Sequence, residues 1–333
     1  MKLGTLQLDN NLLLAPMQEV TTAPYRRFCR KLQKIGLVCV PMIYTKRVVR
    51  SPDMVIPDLH KIEEENPISI QLIGSDLEAL KKTILFLESY KFNVLDLNAG
   101  CPSKRALRSQ EGAYLLNNLK KLKKHINAAS KFSSRPISLK IRTGVDDRIN
   151  ITEFSALIND SNIEFLTIHG RTVKDKYNDS RLDIDTIKEI KNRVNIPVIG
   201  NGNIDNPLAA RSFINYTNVD AIMIGRGSLG NPEIFNQINM FLKEGKYIPF
   251  QNDIRKMRRS IEVYEKCLDE FINEDSWFSY PLEIYKFKEL KRNAIWLTKN
   301  IKCSSNIREQ LSKTRDLTAL KNTLKFYFEE IMN

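Results

Sequence analysis

The 333-residue chain carries 52 Lys+Arg against 39 Asp+Glu, a formal net charge of +13, with 42% hydrophobic and 27% charged residues. That balance is that of an ordinary soluble globular protein, with length for one large domain and a smaller one. No apolar run approaches the roughly 20 residues of a membrane helix, and the odd, widely spaced set of five cysteines, without a C-x-x-C, argues against a disulfide framework or a zinc or iron–sulfur site.

Met1-Lys2-Leu3-Gly4-Thr5 opens without the long apolar core of a secretory signal, so a cytoplasmic location is expected. The positive charge favours a polyanionic partner, nucleic acid first, although an anionic membrane surface or a generally lysine-rich composition would produce the same number.

Eight short apolar runs follow one another at residues 12–17, 37–42, 68–74, 93–97, 137–142, 165–170, 197–202 and 221–226. Most are near-continuous hydrophobics, as in parallel strands covered on both faces. Helical patterns separate them, among them residues 77–90, 119–132, 151–160, 185–194 and 207–216. Eight β/α units over about 240 residues predict a (β/α)8 barrel rather than an open doubly wound sheet. Residues 98–102 read as a turn, because glycine and proline end regular structure. Residues 243–249 read as a linker, and residues 253–333, purely helical in pattern and without glycine, as a separate bundle. The domains are therefore 1–242, the barrel, and 250–333, a basic helical unit. In it Arg255, Lys256, Arg258, Arg259, Lys286, Lys288, Lys291, Arg292, Lys299 and Lys302 interleave with Tyr285, Phe287 and Trp296. Such a surface suits RNA, and solvated helix faces over an aromatic core would read the same. The lysine cluster at 120–124 is a solvated helix face. His60 and His125, in charged contexts, are expected to be exposed and are given no role.

A barrel gathers its eight carboxyl strand ends at one rim. Here those ends are Ala15-Pro16-Met17, Gln71, Asn98 to Cys101, Lys140 with Arg142, His169-Gly170-Arg171, Asn201-Gly202-Asn203 and Gly225-Arg226-Gly227. Cations on apolar strands are costly without a counter-charge, so their convergence implies a polar or anionic ligand. The glycine loops after the seventh and eighth strands stand where barrels bind phosphate, and Arg226 could add a bidentate contact. Lys140 could stabilise negative charge on a reduced flavin, and Gln71 and Asn98 could meet its ring carbonyls. His169 could bind a phosphate or ribityl oxygen, orient a reacting group, or be a satisfied core histidine.

Assembled, these residues resemble the tRNA-dihydrouridine synthases. The likeness is carried by Ala15-Pro16-Met17 with Val20-Thr21 and Pro24-Tyr25-Arg26, then Gln71-Leu72-Ile73-Gly74, Asp96-Leu97-Asn98 with Gly100-Cys101-Pro102, and Lys140-Ile141-Arg142-Thr143-Gly144. It continues through Ile168-His169-Gly170-Arg171-Thr172, Gly200-Asn201-Gly202 and Gly225-Arg226-Gly227. The helical tail matches only in kind, and Arg108-Ser109-Gln110-Glu111 departs from the glycine-richer loop that many members have after the cysteine.

The resemblance implies an FMN-dependent oxidoreductase that takes electrons from NADPH and reduces uridines of tRNA to 5,6-dihydrouridine. Ribosomal RNA is a less favoured substrate, and a monomer is the expected state. Pro16, Met17, Gln71, Lys140, His169, Asn201, Gly202, Asn203, Gly225 and Arg226 would hold FMN. Asn98, Arg142, Lys104, Arg105 and Arg171 would meet the substrate, with Arg108 beside them as a further phosphate clamp. Cys101 would give a proton to uracil C5 after hydride reaches C6, and an ordinary thiol, with a pKa of about 8.5, holds that proton at neutral pH. The target base would have to be flipped into the rim. Two other readings remain at this point, a flavin barrel acting on a small molecule and an RNA-binding barrel without turnover.

Overall fold

The computed structural model describes residues 1–231, 233–246, 254–274, 281–299, 301 and 303–332. Eight parallel strands form the barrel: β1 (Leu12–Leu14), β2 (Val38–Cys39), β3 (Ile68–Ile73), β4 (Val94–Ala99), β5 (Ile137–Gly144), β6 (Phe165–Thr172), β7 (Val198–Asn201) and β8 (Ala221–Ile224). Each pairs with the next from β2 to β8, and β8 returns to β1 through Ile222↔Leu12 and Ile224↔Leu14. The last seam closes where Leu14 N donates to Leu37 O at 2.9 Å. All eight expected strands are present, with shifted ends. Asn98 and Ala99 belong to β4 rather than to the turn, paired with Lys140 and Ile141.

Outside the strands run α1 (Ala23–Leu32), α2 (Thr45–Arg50), α3 (Leu77–Leu87), α4 (Leu119–Phe132), α5 (Ile151–Asn159), α6 (Ile184–Arg193), α7 (Pro207–Thr217) and α8 (Ile234–Glu244). Five start on one local device. Asp76, Asn118, Asn150, Asp183 and Asn206 each stand at the N-cap and accept the amide three residues on. The helix α8 covers Lys243 and Glu244, so the expected linker starts later, and its residues 247–249 lie outside the described residues, as does position 250.

The barrel interior divides into two halves. In one half Leu13, Leu37, Val94, Phe165, Ile199 and Met223 form an apolar plug with Leu3 and Leu8. Leu3 sits in an antiparallel hairpin, Lys2–Leu3 with Leu6–Gln7, that no sequence pattern announced. Toward the carboxyl ends the inward positions turn polar, and that contrast places the site.

Four helices follow: α9 (Ile254–Glu274), α10 (Leu282–Leu297), α11 (Ser304–Lys313) and α12 (Leu317–Met332). Their apolar side chains, such as Met257, Tyr264, Leu268 and Leu297, belong to the same buried cluster as the barrel's outer layer. The contact centres on α1. Phe28 meets Tyr264 edge-on at 5.6 Å and Tyr25 meets Trp296 at 6.3 Å. Around these rings the tail turns carboxylates to the barrel: Arg27 pairs with Glu274 and Lys31 with Glu270, each at 2.6 Å. Of the basic residues expected to face solvent, Lys286 pairs with Asp269 at 2.5 Å and Arg292 with Glu289, and Lys302 lies outside the described residues. Among the described residues no helix is long and apolar enough to cross a membrane.

Two histidines correct the expectation of exposure. His125 is buried at 4%, its Nδ1 2.8 Å from the Lys121 carbonyl. His60 is half-buried with its ring 5.3 Å from that of Phe271.

Candidate active site

Side chains alternate along a strand, so the interior-facing set on β4 to β6 is read at every second residue. Asp96 and Asn98 share a face. Ser138, Lys140 and Arg142 share the next, and His169 and Arg171 the one after, in register through Asp96↔Ser138, Asn98↔Lys140 and Arg142↔His169.

Asn98 holds the turn that carries Cys101. Its Oδ1 accepts the amides of Gly100 at 3.0 Å and Cys101 at 2.8 Å, and its Nδ2 donates to Gln71 Oε1 at 2.7 Å. Gln71 Nε2 in turn donates to Asp96 Oδ2 at 2.6 Å, and the Ser138 hydroxyl donates to Asp96 Oδ1 at 2.6 Å. The thiol is 7% exposed and 3.5 Å from Ser103 Oγ. Its packing neighbours include Ile73, Ala106, Met42 and Tyr44. The chain then folds back over it at Gly112, where φ is +60° and an added Cβ would stand 2.8 Å from the Cys101 Cβ. Only glycine fits that position without displacing the cysteine.

Lys140, on the neighbouring strand, is half-buried and forms no ion pair within 4.0 Å among the described residues. Burial pulls its pKa down to about 8, against Asp96, which favours the charge. The Asp96 carboxyl is pushed up by burial, while Ser138, Gln71 and Lys140 act to keep it ionised.

His169 lies where β6 ends. Its Nε2 is 3.1 Å from Arg171 Nη1, a permanent donor, so Nε2 accepts and the proton of the neutral ring sits on Nδ1. Burial, with Lys140, Arg142, Arg171 and Arg226 adding to it, lowers its pKa to about 2. This has a measurable consequence. The native imidazole stays neutral while an unfolded one takes a proton near 6.5, so the unfolded chain binds more protons between these values and stability falls as pH falls below 6.5. From pH 7 to pH 5 the loss from this one group is about 2 kcal/mol. Chemical unfolding of the ligand-free protein should show that slope, and His169→Asn should remove it; equal slopes in both proteins would contradict the assignment.

The guanidiniums sort differently. Arg142, 2% exposed, gives Nε to Gly100 O at 3.1 Å and Nη1 to the carbonyls of Thr172 at 2.8 Å and Lys176 at 2.9 Å. Arg171, fully buried, gives Nη2 to Asn203 Oδ1 at 2.6 Å and Nε to Asn178 O at 2.7 Å. Both tie strand-end loops together. Arg226 keeps half its side chain in solvent and shares Asp179 Oδ1 with Arg171, at 3.1 and 3.2 Å. Tyr177, 53% exposed, lies near the Arg142 and Arg226 guanidiniums, 5.1 and 5.4 Å from its ring centroid. Lys104 and Arg105 are exposed on a short helix, Lys104–Arg108, with Arg105 4.3 Å from the Tyr44 ring.

Pro16 and Met17 leave β1 half-buried, and the Met17 amide donates to Thr21 Oγ1 at 3.0 Å. Asn201 Nδ2 donates to the Met223 carbonyl at 2.7 Å and links the ends of β7 and β8. Gly202 and Gly225 follow those strands, and the nearest atoms to a Cβ built on Gly225 are Ala15 Cβ and Met17 Sδ, both at 3.6 Å. Every predicted site residue thus falls at the carboxyl end of the barrel or on a loop leaving it. Asp96, Ser138, Tyr177 and Asp179 were not singled out. The first two carried a signal in the sequence, polar residues at alternate positions of apolar strands facing a lysine.

Functional groups drawn from many strand ends at the carboxyl mouth of a parallel barrel are the plan of the (β/α)8 enzymes, and this chain follows it. Comparison with known proteins narrows the class. A solved structure of a morphinone reductase mutant in complex with tetrahydroNAD shares the fold, with a TM-score of 0.51 at 11% identity over 72% of this chain and 89% of that one. The family model described as dihydrouridine synthase matches residues 13–332. The tRNA-dihydrouridine synthase B of Escherichia coli is 30% identical over 330 residues, 99% of each chain. That of Pseudomonas aeruginosa is 30% identical over 334 residues, 100% of this chain and 97% of its own. The chain belongs to the dihydrouridine synthase family, and it is an enzyme of that family.

Proposed function

We propose that the protein is an FMN-dependent reductase of tRNA that draws electrons from NADPH and converts uridine to 5,6-dihydrouridine. The observation that carries the reading is the gathering at one barrel mouth of the cationic side chains of Lys140, Arg142, Arg171 and Arg226 around the buried His169, beside a thiol fixed on the adjoining strand end. Such a gathering of cations fits an anionic, phosphate-bearing ring system. Lys140 supplies a cation that forms no ion pair among the described residues, Gln71 and Asn98 supply amides, and Gly202 and Gly225 stand in the loops after β7 and β8. Pro16, Met17, His169, Asn201, Asn203 and Arg226 complete that wall. When bound, FMN would supply the hydride for uracil C6.

The residues divide the remaining work. Cys101 Sγ delivers the proton to C5, neutralising the charge that the substrate acquires. Asn98 keeps the Cys101 turn against β4 and, through Gly100, so does Arg142. Lys104 and Arg105, outside the mouth, meet RNA phosphates, while Arg171 acts through His169 and Asn203. The split into a catalytic barrel, 1–242, and a basic RNA-binding unit, 250–333, belongs to the same proposal, as do a cytoplasmic location and a monomeric state.

The test is direct. The purified protein should be yellow, and its oxidation of NADPH without oxygen should depend on unmodified tRNA and leave dihydrouridine in it. A colourless protein, or one that reduces a free enone but no RNA, would overturn the reading.

A further inference from the structure

The mechanism leaves Asp96 unused, although it is buried at the centre of the polar half of the barrel. We propose that Asp96 is a positioning residue that sets the donor and acceptor sense of Gln71 and Asn98 and so fixes where the Cys101 thiol stands. The inference deepens the proposed function, because it concerns the proton donor that reading assigns.

A primary amide can be turned over with little change in shape, and then its donor and acceptor exchange places. A carboxylate cannot, since it only accepts. Asp96 faces two donors, Ser138 Oγ and Gln71 Nε2. With Nε2 so directed, Gln71 must present Oε1 to Asn98. Asn98 must then present Nδ2 to Gln71 and Oδ1 to the amides of Gly100 and Cys101. Those amides are backbone donors and cannot reverse. The chain of bonds therefore has one acceptor-only end and one donor-only end, and both specify the same sense. Removing the first leaves the sense held by the two backbone amides alone, because an amide at position 96 accepts either sense, and so raises the population in which Asn98 Nδ2 faces two N–H groups and the turn is released. The hydrogen-bond partners of the Asp96 side chain among the described residues, Gln71 and Ser138, both lie outside the turn.

The test reads the thiol itself, without RNA or reductant. Iodoacetamide is added to the purified protein and labelling of Cys101 is followed by peptide mass spectrometry, with the buried Cys29 as an internal measure of global opening. Asp96→Asn should speed labelling of Cys101 at least about fivefold, the scale of one lost buried hydrogen bond, and leave Cys29 unchanged. Ser138→Ala, which removes a bond but keeps the carboxylate, should stay near the wild type. The double variant Asp96→Asn/Gln71→Glu moves the acceptor-only group one link along and again forces Asn98 Nδ2 toward residue 71. Its Cys101 labelling should return to the wild-type rate.

The proposal is overturned if Asp96→Asn labels like the wild type, if Ser138→Ala labels as fast as Asp96→Asn, if Cys29 accelerates with Cys101, or if the double variant shows no recovery. Should the single variant fail to fold, the double variant decides alone by the same comparison with the wild type. Failure of the wild type to reduce tRNA would refute the proposed function and leave these labelling rates interpretable.

Discussion

Replacing Cys101 with alanine is expected to leave reduction of the bound flavin by NADPH at the wild-type rate and to lower dihydrouridine formation about 10²–10⁴-fold, the usual contribution of a positioned proton donor. On the proposed mechanism the two half-reactions separate, because the thiol would enter only after hydride has reached the base. The substitution is also structurally mild. Cys101 contributes little more than a methyl-sized group to a small cluster with Ile73 and Ala106, and its turn is held by its backbone amide on Asn98 and its carbonyl, which accepts from the Ala113 amide at 3.2 Å. Stopped-flow flavin absorbance and mass analysis of the RNA would read the two steps separately. A variant that makes dihydrouridine at the wild-type rate would remove Cys101 from the chemistry.

The second large effect concerns stability. Glu65 is fully buried between two fully buried arginines, with Oε2 2.6 Å from Arg26 Nε and Oε1 3.8 Å from Arg27 Nε. Arg26 also donates to the carbonyls of Thr21 and His60. Arg27 keeps Glu274, but taking away Glu65 leaves the charge of Arg26 without a carboxylate in a place water does not reach. Glu65→Ala should therefore cost about 3–5 kcal/mol of unfolding free energy. Glu65→Gln should cost less, since its amide oxygen still accepts from Arg26. Urea unfolding measures both, and a loss under about 1 kcal/mol for the alanine variant would show that the cluster is solvated.

Much of this architecture was legible in the residues, for specific reasons. Strands buried on both faces write themselves as apolar runs, so all eight were visible. The polar ends were legible because a cation at the tip of an apolar strand has few structural excuses. Three things were not legible. Reading each strand as uniformly apolar hid the two-residue alternation that puts Asp96 beside Gln71 and Ser138. Arg142 and Arg171 resemble ligand-binding groups in sequence, yet their donors reach carbonyls and side chains on loops up to 42 residues away, a pairing that only the closed barrel creates. The tail was read from its lysines and arginines, whereas Glu270, Glu274 and Glu289 determine how it sits. Thr22 Oγ1 donates to Glu289 Oε2 at 3.2 Å across the seam between barrel and tail, and within the tail Tyr264 Oη donates to the same oxygen at 2.7 Å.

The loop after β8 shows what that seam means for the barrel. The Tyr25 hydroxyl lies 3.2 Å from Ser228 Oγ, and the other side of the Tyr25 ring leans on Trp296. At Gly230 the loop passes so close to α10 that a Cβ would stand 2.4 Å from the Trp296 carbonyl oxygen. The barrel's last turn is thus moulded against a helix that the ribosome adds some fifty residues later. A nascent chain released at Glu244 would hold every strand and still lack the helix against which the loop after its last strand is packed.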